Sequence, residues 1–255
     1  MLEIIFNKDT KEFHLFNENI SYIMKLVRTE QPAQLYFGKK IKHRDNFNHM
    51  FQRWTERVGG FSANPFGDDE TFSLDVVMQE YPSYGTTDFR QPAFEILQNN
   101  GSRITNFKYK SHNIFNGKKK LEGLPATYSE NNDEAKTLEI VLEDSLINTE
   151  MILSYTIFEK YDSIARNVKF INNSNEEIVL SRVLSMCLDL PDHNYEMIHL
   201  SGTWTRERHV KTRKLEQGVQ EIYSARGASS PHHNPFIALK RPDTNEFCGE
   251  VYGFN

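Results

Sequence analysis

The stretch INTEMILSYTIF (residues 147–158) sets Ile147, Thr149, Met151, Leu153, Tyr155 and Ile157 on one face. Repeat-of-two spacing drives one set of side chains into a core and turns the other toward water or a second layer, the mark of a β-strand. The same spacing places Phe72, Leu74, Val76 and Met78 of TFSLDVVM on one side. Beyond them, SIARNVKFINNSNEEIVLSRVLSM reads as two strands joined by a polar turn at 172–177. Further strands are expected at 2–6, 20–27, 33–38, 94–98, 103–110, 137–143, 197–200, 219–223, 236–240 and 246–253. Asn99-Asn100-Gly101, Asn116-Gly117 and Pro191-Asp192 punctuate them as turns. Strands in that number outgrow one small sandwich and divide into two packed layers. A short helix is expected within NFNHMFQRWTER, where Phe47, Met50, Phe51 and Trp54 recur at helical spacing. With no Pro-, Gly- or Ser-rich linker, residues 1–255 read as one domain.

Composition narrows the function. The chain has 255 residues, 38% of them hydrophobic, with 18 Phe and 11 Tyr to build a core. A net charge of −5 excludes the basic surplus of a nucleic-acid binder. The basic run Lys118-Lys119-Lys120 reads as a solvated loop. Cys187 and Cys248 match neither a disulfide framework nor a zinc spacing, and each is expected to be a buried thiol. The start, MLEIIFNKDTKEF, lacks the basic and apolar regions of a signal peptide, and no stretch is long enough to span a membrane. These features fit a reducing cytoplasm. The final NEFCGEVYGFN reads as an aromatic β pattern that stops abruptly, as in the N-terminal portion of a longer protein.

Three stretches carry possible chemistry. SARGASSPHHNPFIALK (224–240) allows a metal site, a nucleophile (Ser229 or Ser230 with His232 as base) or a shaped loop. Adjacent His232 and His233 on a strand point to opposite faces, which disfavours one metal taking both. The serines lack the G-x-S-x-G turn. The loop reading is preferred, and no metal is assigned. HRDNFNHMFQRWTER (43–57) and EYPSYGTTDFRQPAFEI (80–96) combine aromatic rings with Arg and Asp. Such residues either hold a sugar, by stacking and by bonding to hydroxyls, or form an aromatic patch between sheets.

Taken in order, ISYIMKLV, QLYFGKKI, QEYPSYGTTDFRQPAFEI, SGTWTRERHVKTRKLEQG and SARGASSPHHNPFIAL resemble the N-terminal domain of bacterial α-galactosidases of glycoside hydrolase family 36. The resemblance runs from about Ile20 to Asn255. It implies an all-β, galactose-mutarotase-like β-supersandwich of two large, packed, mostly antiparallel sheets ahead of a catalytic (β/α)8 barrel. It implies retaining hydrolysis of terminal α-1,6-galactose from melibiose- or raffinose-type sugars, by two Asp residues of that barrel and with no cofactor. It also implies a homo-oligomer, a tetramer, in which a loop of one N-terminal domain reaches a neighbour's pocket. The matching substrate-binding positions are Asp45, Asn46, Phe47, Arg53 and Trp54, with Phe47 or Trp54 stacking on the sugar. Asp88, Arg90, Trp204, Arg206, Arg208 and Arg226 are expected at domain or oligomer interfaces. Where the family commonly has His-Gln after the paired serines, this chain has Pro231-His232-His233, so no contact role passes to either histidine. Two other readings are a free-standing carbohydrate-binding module and an aldose-epimerase-like enzyme. The latter would need a His and a Glu facing one cleft, with His112, His193, His199 and His209 available.

Overall fold

The computed structural model describes residues 1–51, 72–124, 126–226 and 232–255, which form two compact units, Met1–Asp189 and Leu190–Asn255. The protein is all-β. Among the described residues its strands hydrogen-bond into four sheets.

The first unit contains three of them. One is a meander of β1 (Glu3–Asn7), β2 (Glu12–Phe16), β3 (Ile20–Leu26) and β4 (Pro32–Lys39). A short pair joins β5 (Phe94–Leu97) to β10 (Val179–Val183), and the longest strands form a second meander, β6 (Lys108–Asn116), β7 (Ala135–Asp144), β8 (Thr149–Phe158) and β9 (Ile164–Asn172). All their pairings are antiparallel.

Strand β8 obeys its sequence pattern: Thr149, Met151, Leu153, Tyr155 and Ile157 are buried. They share a core with Leu138, Ile140 and Leu142 of β7, and with Phe13, Leu15, Tyr22 and Met24 of the first meander. Burying each large apolar side chain contributes about 2 kcal/mol. Asn17, on the turn between β2 and β3, ties the two meanders together. Its amide nitrogen donates to Phe158 O (2.9 Å) and Tyr161 O (3.1 Å), and its oxygen accepts from Asn19 N and Ile20 N, both 2.8 Å.

A charged group lies in this apolar interior. Glu80, 1% exposed, accepts hydrogen bonds from Tyr22 Oη (2.8 and 2.9 Å) and Tyr155 Oη (2.8 Å). It pairs with Arg166 Nη2 at 3.0 Å, and that guanidinium lies 4.7 Å over the Tyr155 ring. Burial pushes the Glu80 carboxyl up, while Arg166 and the two tyrosine hydroxyls act against the rise.

The second unit is one sheet in the order β12 (Arg206–Lys214), β11 (Glu196–Thr203), β13 (His233–Lys240), β14 (Val251–Phe254). Its end is fastened at Arg241, which pairs with Asp192 (2.6 Å) and Glu250 (3.2 Å) and lies 3.9 Å over the Tyr195 ring. Tyr195 in turn donates to Glu250 at 2.8 Å.

Several local expectations are corrected. Residues 72–78 are not a strand: Leu74–Val76 form a 3-10 turn, and Val77 N donates to Leu74 O at 3.2 Å. Phe72 and Leu74 are buried as the alternation expects, but beyond the turn burial passes to Val77, while Val76 and Met78 are only half-buried. No strand forms at 219–223, whereas 206–214 is one. Strand β10 follows β9 as expected but pairs with β5. Of the expected helical stretch only Asn48–Met50 forms a 3-10 turn; Asn46, Phe47 and Phe51 are not helical, and residues 52–57 lie outside the described residues. Cys187 is partly buried, and burial pushes its thiol up to about 12; Cys248 is exposed, on the bend before β14.

Removing Arg166 would strand the Glu80 carboxylate in the core. Arg166→Met is therefore expected to lower the unfolding free energy by about 3–5 kcal/mol, read from urea denaturation.

Candidate functional site

After β4 the chain crosses the first meander as a loop whose backbone is held by buried polar groups. Lys40 N donates to Asn19 O (2.6 Å) and Ile41 N to Ser21 Oγ (3.1 Å). His14, 1% exposed, bonds to Ser21 Oγ through Nε2 and to His43 Nδ1 through Nδ1, both at 3.0 Å. Asn7 Nδ2 donates to Asp45 O at 2.6 Å. Phe47 N donates to Glu12 Oε2 (2.9 Å), whose other oxygen pairs with Lys25 Nζ (3.2 Å), and that ammonium also reaches Asn48 Oδ1.

This scaffold sorts the residues expected to meet a sugar. Asp45 and Asn46 are exposed on the loop. Phe47 is not: it is 1% exposed, packed with Ile23 and Leu35, and its ring meets His14 edge-on at 5.2 Å. The expectation that Phe47 stacks on a ligand is thus corrected, because its burial anchors the loop instead. Arg53, Trp54, Gly227, Ser229 and Ser230 lie outside the described residues.

Asp88 and Arg90 form a clamp. Arg90 donates from Nε to Asp88 Oδ1 (3.0 Å) and from Nη2 to Oδ2 (2.9 Å), a bidentate pair of the directional kind. Gln79 Nε2 donates to Asp88 Oδ2 (2.7 Å), and Arg90 N to Oδ1 (3.0 Å). Arg90 Nη2 also reaches Val77 O (2.7 Å) and Leu74 O (3.1 Å), so one guanidinium secures the turn that replaced the expected strand. Asp88 is 1% exposed, while the Arg90 side chain is 42% exposed.

In the second unit Trp204 caps the β11–β12 turn and is 81% exposed. Arg206 and Arg208 on β12 and Arg226 beyond it are exposed as well. Gly202 permits this turn, since a Cβ there would run into the Arg206 carbonyl. His233 stacks on His199 with centroids 5.8 Å apart; burial lowers His199, helped by Arg213, His233 and Lys211. His112 packs against Phe6 and Phe13 and bonds to Tyr109 Oη at 2.7 Å. Among the described residues no three His, Cys, Asp or Glu side chains gather as a metal site. Sequence reasoning missed the His14–Ser21–His43 chain and the Glu80 network, because nothing in the linear order brings their members together.

These antiparallel β units, bearing the half-exposed Asp88–Arg90 clamp and an exposed Trp–Arg hairpin, have known counterparts. A family model described as "Glycosyl hydrolase family 36 N-terminal domain" matches residues 30–255, and the chain belongs to that family. It is 47% identical over 254 residues to the alpha-galactosidase AgaA of Geobacillus stearothermophilus, covering 100% of this chain and 34% of that protein. The crystal structure of the alpha-galactosidase AgaB from the same organism superposes with a TM-score of 0.90 at 46% identity, over 98% of this chain and 34% of that one. A variant of AgaA solved in complex with raffinose gives 0.89 at 48% identity, over 95% and 33% respectively. The chain spans about a third of the length of the curated relatives it matches.

Burial, with His43 and Lys40 nearby, lowers His14 from 6.5 to about 4. The folded protein therefore excludes a proton that the unfolded chain binds. The stability from neutral His14 is fully present above pH 6.5 and falls away as the pH drops toward 4. Discounted for solvent screening, the loss is about 1–2 kcal/mol. Urea midpoints between pH 7 and pH 4.5 (about those values) should fall more steeply for the wild type than for His14→Gln.

Proposed function

We propose that this chain is the N-terminal, non-catalytic portion of a retaining α-galactosidase that releases terminal α-1,6-linked galactose from melibiose- and raffinose-type oligosaccharides. The supporting observation is the match along nearly the whole chain to alpha-galactosidases about three times its length. That one solved relative holds raffinose supports the substrate class. Retaining hydrolysis uses two carboxyl groups about 5–5.5 Å apart, one as nucleophile and one as acid/base. No carboxylate of this chain is assigned either role.

On this reading residues 1–255 act as one β-supersandwich domain that supports the catalytic part. The Asp88–Arg90 clamp gives it a rigid edge, and exposed Trp204, Arg206, Arg208 and Arg226 meet another domain or subunit. An aromatic ring flanked by guanidinium groups is the composition that recurs at the centre of protein interfaces. The whole enzyme is a cytoplasmic homotetramer, in keeping with two unpaired cysteines. Asp45, Asn46, Arg53 and Trp54 reach the sugar site of a neighbouring subunit, with the anchored Phe47 fixing the backbone that carries Asp45 and Asn46.

The test is expression of the complete reading frame and assay of galactose release from melibiose and raffinose. Trp54→Ala in that enzyme should raise KM about fivefold or more with kcat within about twofold, the pattern of lost uniform binding. Trp204→Ala should shift the oligomer toward smaller species in sedimentation. The purified 255-residue chain should liberate no galactose; turnover by that chain alone would refute the reading.

A further inference from the structure

The second unit has an open edge. Among the described residues β12 hydrogen-bonds to β11 alone, and no main-chain group of Arg206–Arg213 bonds elsewhere. Every second residue of such a strand turns its N–H and C=O outward, where a further strand can pair with them. Burial does not close this edge: eight of the nine residues of β12 are exposed and Arg213 is partly buried.

The side chains supply a second, independent observation. Five of the nine residues, Arg206, Arg208, Lys211, Arg213 and Lys214, are cations and only Glu207 is an anion, in a chain whose net charge is −5. Among the described residues none of these five forms an ion pair, whereas Lys110, Lys119, Arg166 and Arg241 each hold a carboxylate. Arg213 donates to a main-chain oxygen, that of Glu221, at 3.0 Å. Glu207 is occupied by its own turn, accepting from Thr205 N at 2.8 Å. Charge that merely blunts an edge works with either sign. A bias toward one sign selects a partner of the other.

The register defines what that partner presents. From His209 to Lys214 the pairing with β11 runs without a bulge, so His209, Lys211 and Arg213 share one face and Val210, Thr212 and Lys214 the other. Val210 is 67% exposed. A strand added here sets its side chains about 4.5–5.5 Å from those opposite. Carboxylates at alternate positions then meet His209 and Lys211, and β-branched residues between them cover Val210 and Thr212. A nucleic-acid backbone answers the charge but leaves the outward carbonyls of β12 without donors.

We propose that the outer edge of β12 takes up an extended acidic segment of another polypeptide as a fifth strand of this sheet, its alternating carboxylates set against His209 and Lys211. The proposal is independent of the α-galactosidase reading, since binding is measured on the 255-residue chain alone. A capped octapeptide of alternating Glu and Val is titrated at low salt to about 5 mM into the 15N-labelled chain, within reach of millimolar affinity. Expected are saturable amide shifts confined to 196–203 and 206–214, lost as added salt screens the charges. The same peptide N-methylated at every second residue keeps its carboxylates but loses the donors of one edge, and should bind about tenfold or more weakly. Lys211→Glu should weaken the acidic peptide about fivefold or more and take up an alternating Lys and Val peptide instead, with no change in melting temperature at this exposed position. The proposal is overturned by absence of shifts, by equal binding of the N-methylated peptide, by binding that Lys211→Glu leaves intact, or by a single-stranded oligodeoxythymidylate occupying the same amides more tightly than the peptide.

Discussion

The first unit depends on how one buried negative charge is held. Glu80 lies on the connection out of the first meander, Tyr22 on β3, Tyr155 on β8 and Arg166 on β9. A carboxylate out of water is tolerated only when its lone pairs are filled and an opposite charge is close. Filling them requires both meanders to present a particular residue at one point. Slipping either strand by one residue would turn its tyrosine to the other face and leave the charge bare. The network therefore specifies register in two sheets as well as holding them together. Arg166 extends the constraint, since its guanidinium also donates to the Glu80 carbonyl (3.0 Å) and to the Cys187 carbonyl.

From that fixed point the chain can carry unfavourable local geometry. Glu80 N donates to Pro32 O (2.9 Å) and Gln34 N to Met78 O (2.8 Å), which lays the segment along β4 before it enters the strained loop at Thr86 (φ 50°) and Thr87 (φ 75°). The Asp88 clamp then closes the loop against the 74–77 turn. Two carboxylate–guanidinium pairs, one fully interior and one at the surface, thus bracket the segment most distorted in its backbone. On β2, Glu12 does similar work for the loop through Phe47, with Lys25 as its counter-charge.

Much of this architecture was legible in the sequence, and the exceptions share a cause. β7 and β8 each have one face in the core, and their alternation shows it. Strand β2 was passed over because all of Glu12–Phe16 is buried, polar Glu12 and His14 included, so no alternation survives. Strand β12 was missed for the converse reason: no position along it is fully buried, and RERHVKTRK carries no apolar rhythm. In TFSLDVVM the alternation holds for Phe72 and Leu74 and then yields to a turn that buries Val77 in place of Val76. For the sites, neighbours in sequence were readable and distant partners were not. Asp88 and Arg90 stand two apart and are paired, but nothing near Phe47 announces that Glu12 and His14 will draw the loop inward.

The outermost position of β12 has a further consequence. A terminal strand offers a row of unsatisfied amides and carbonyls on which another chain can extend the sheet. Here that row is flanked by Arg206, Arg208, Lys211 and Lys214, so the same strand from a second molecule would arrive cation against cation. The basic character that hid β12 from pattern reading also discourages runaway stacking of the second unit into fibrils.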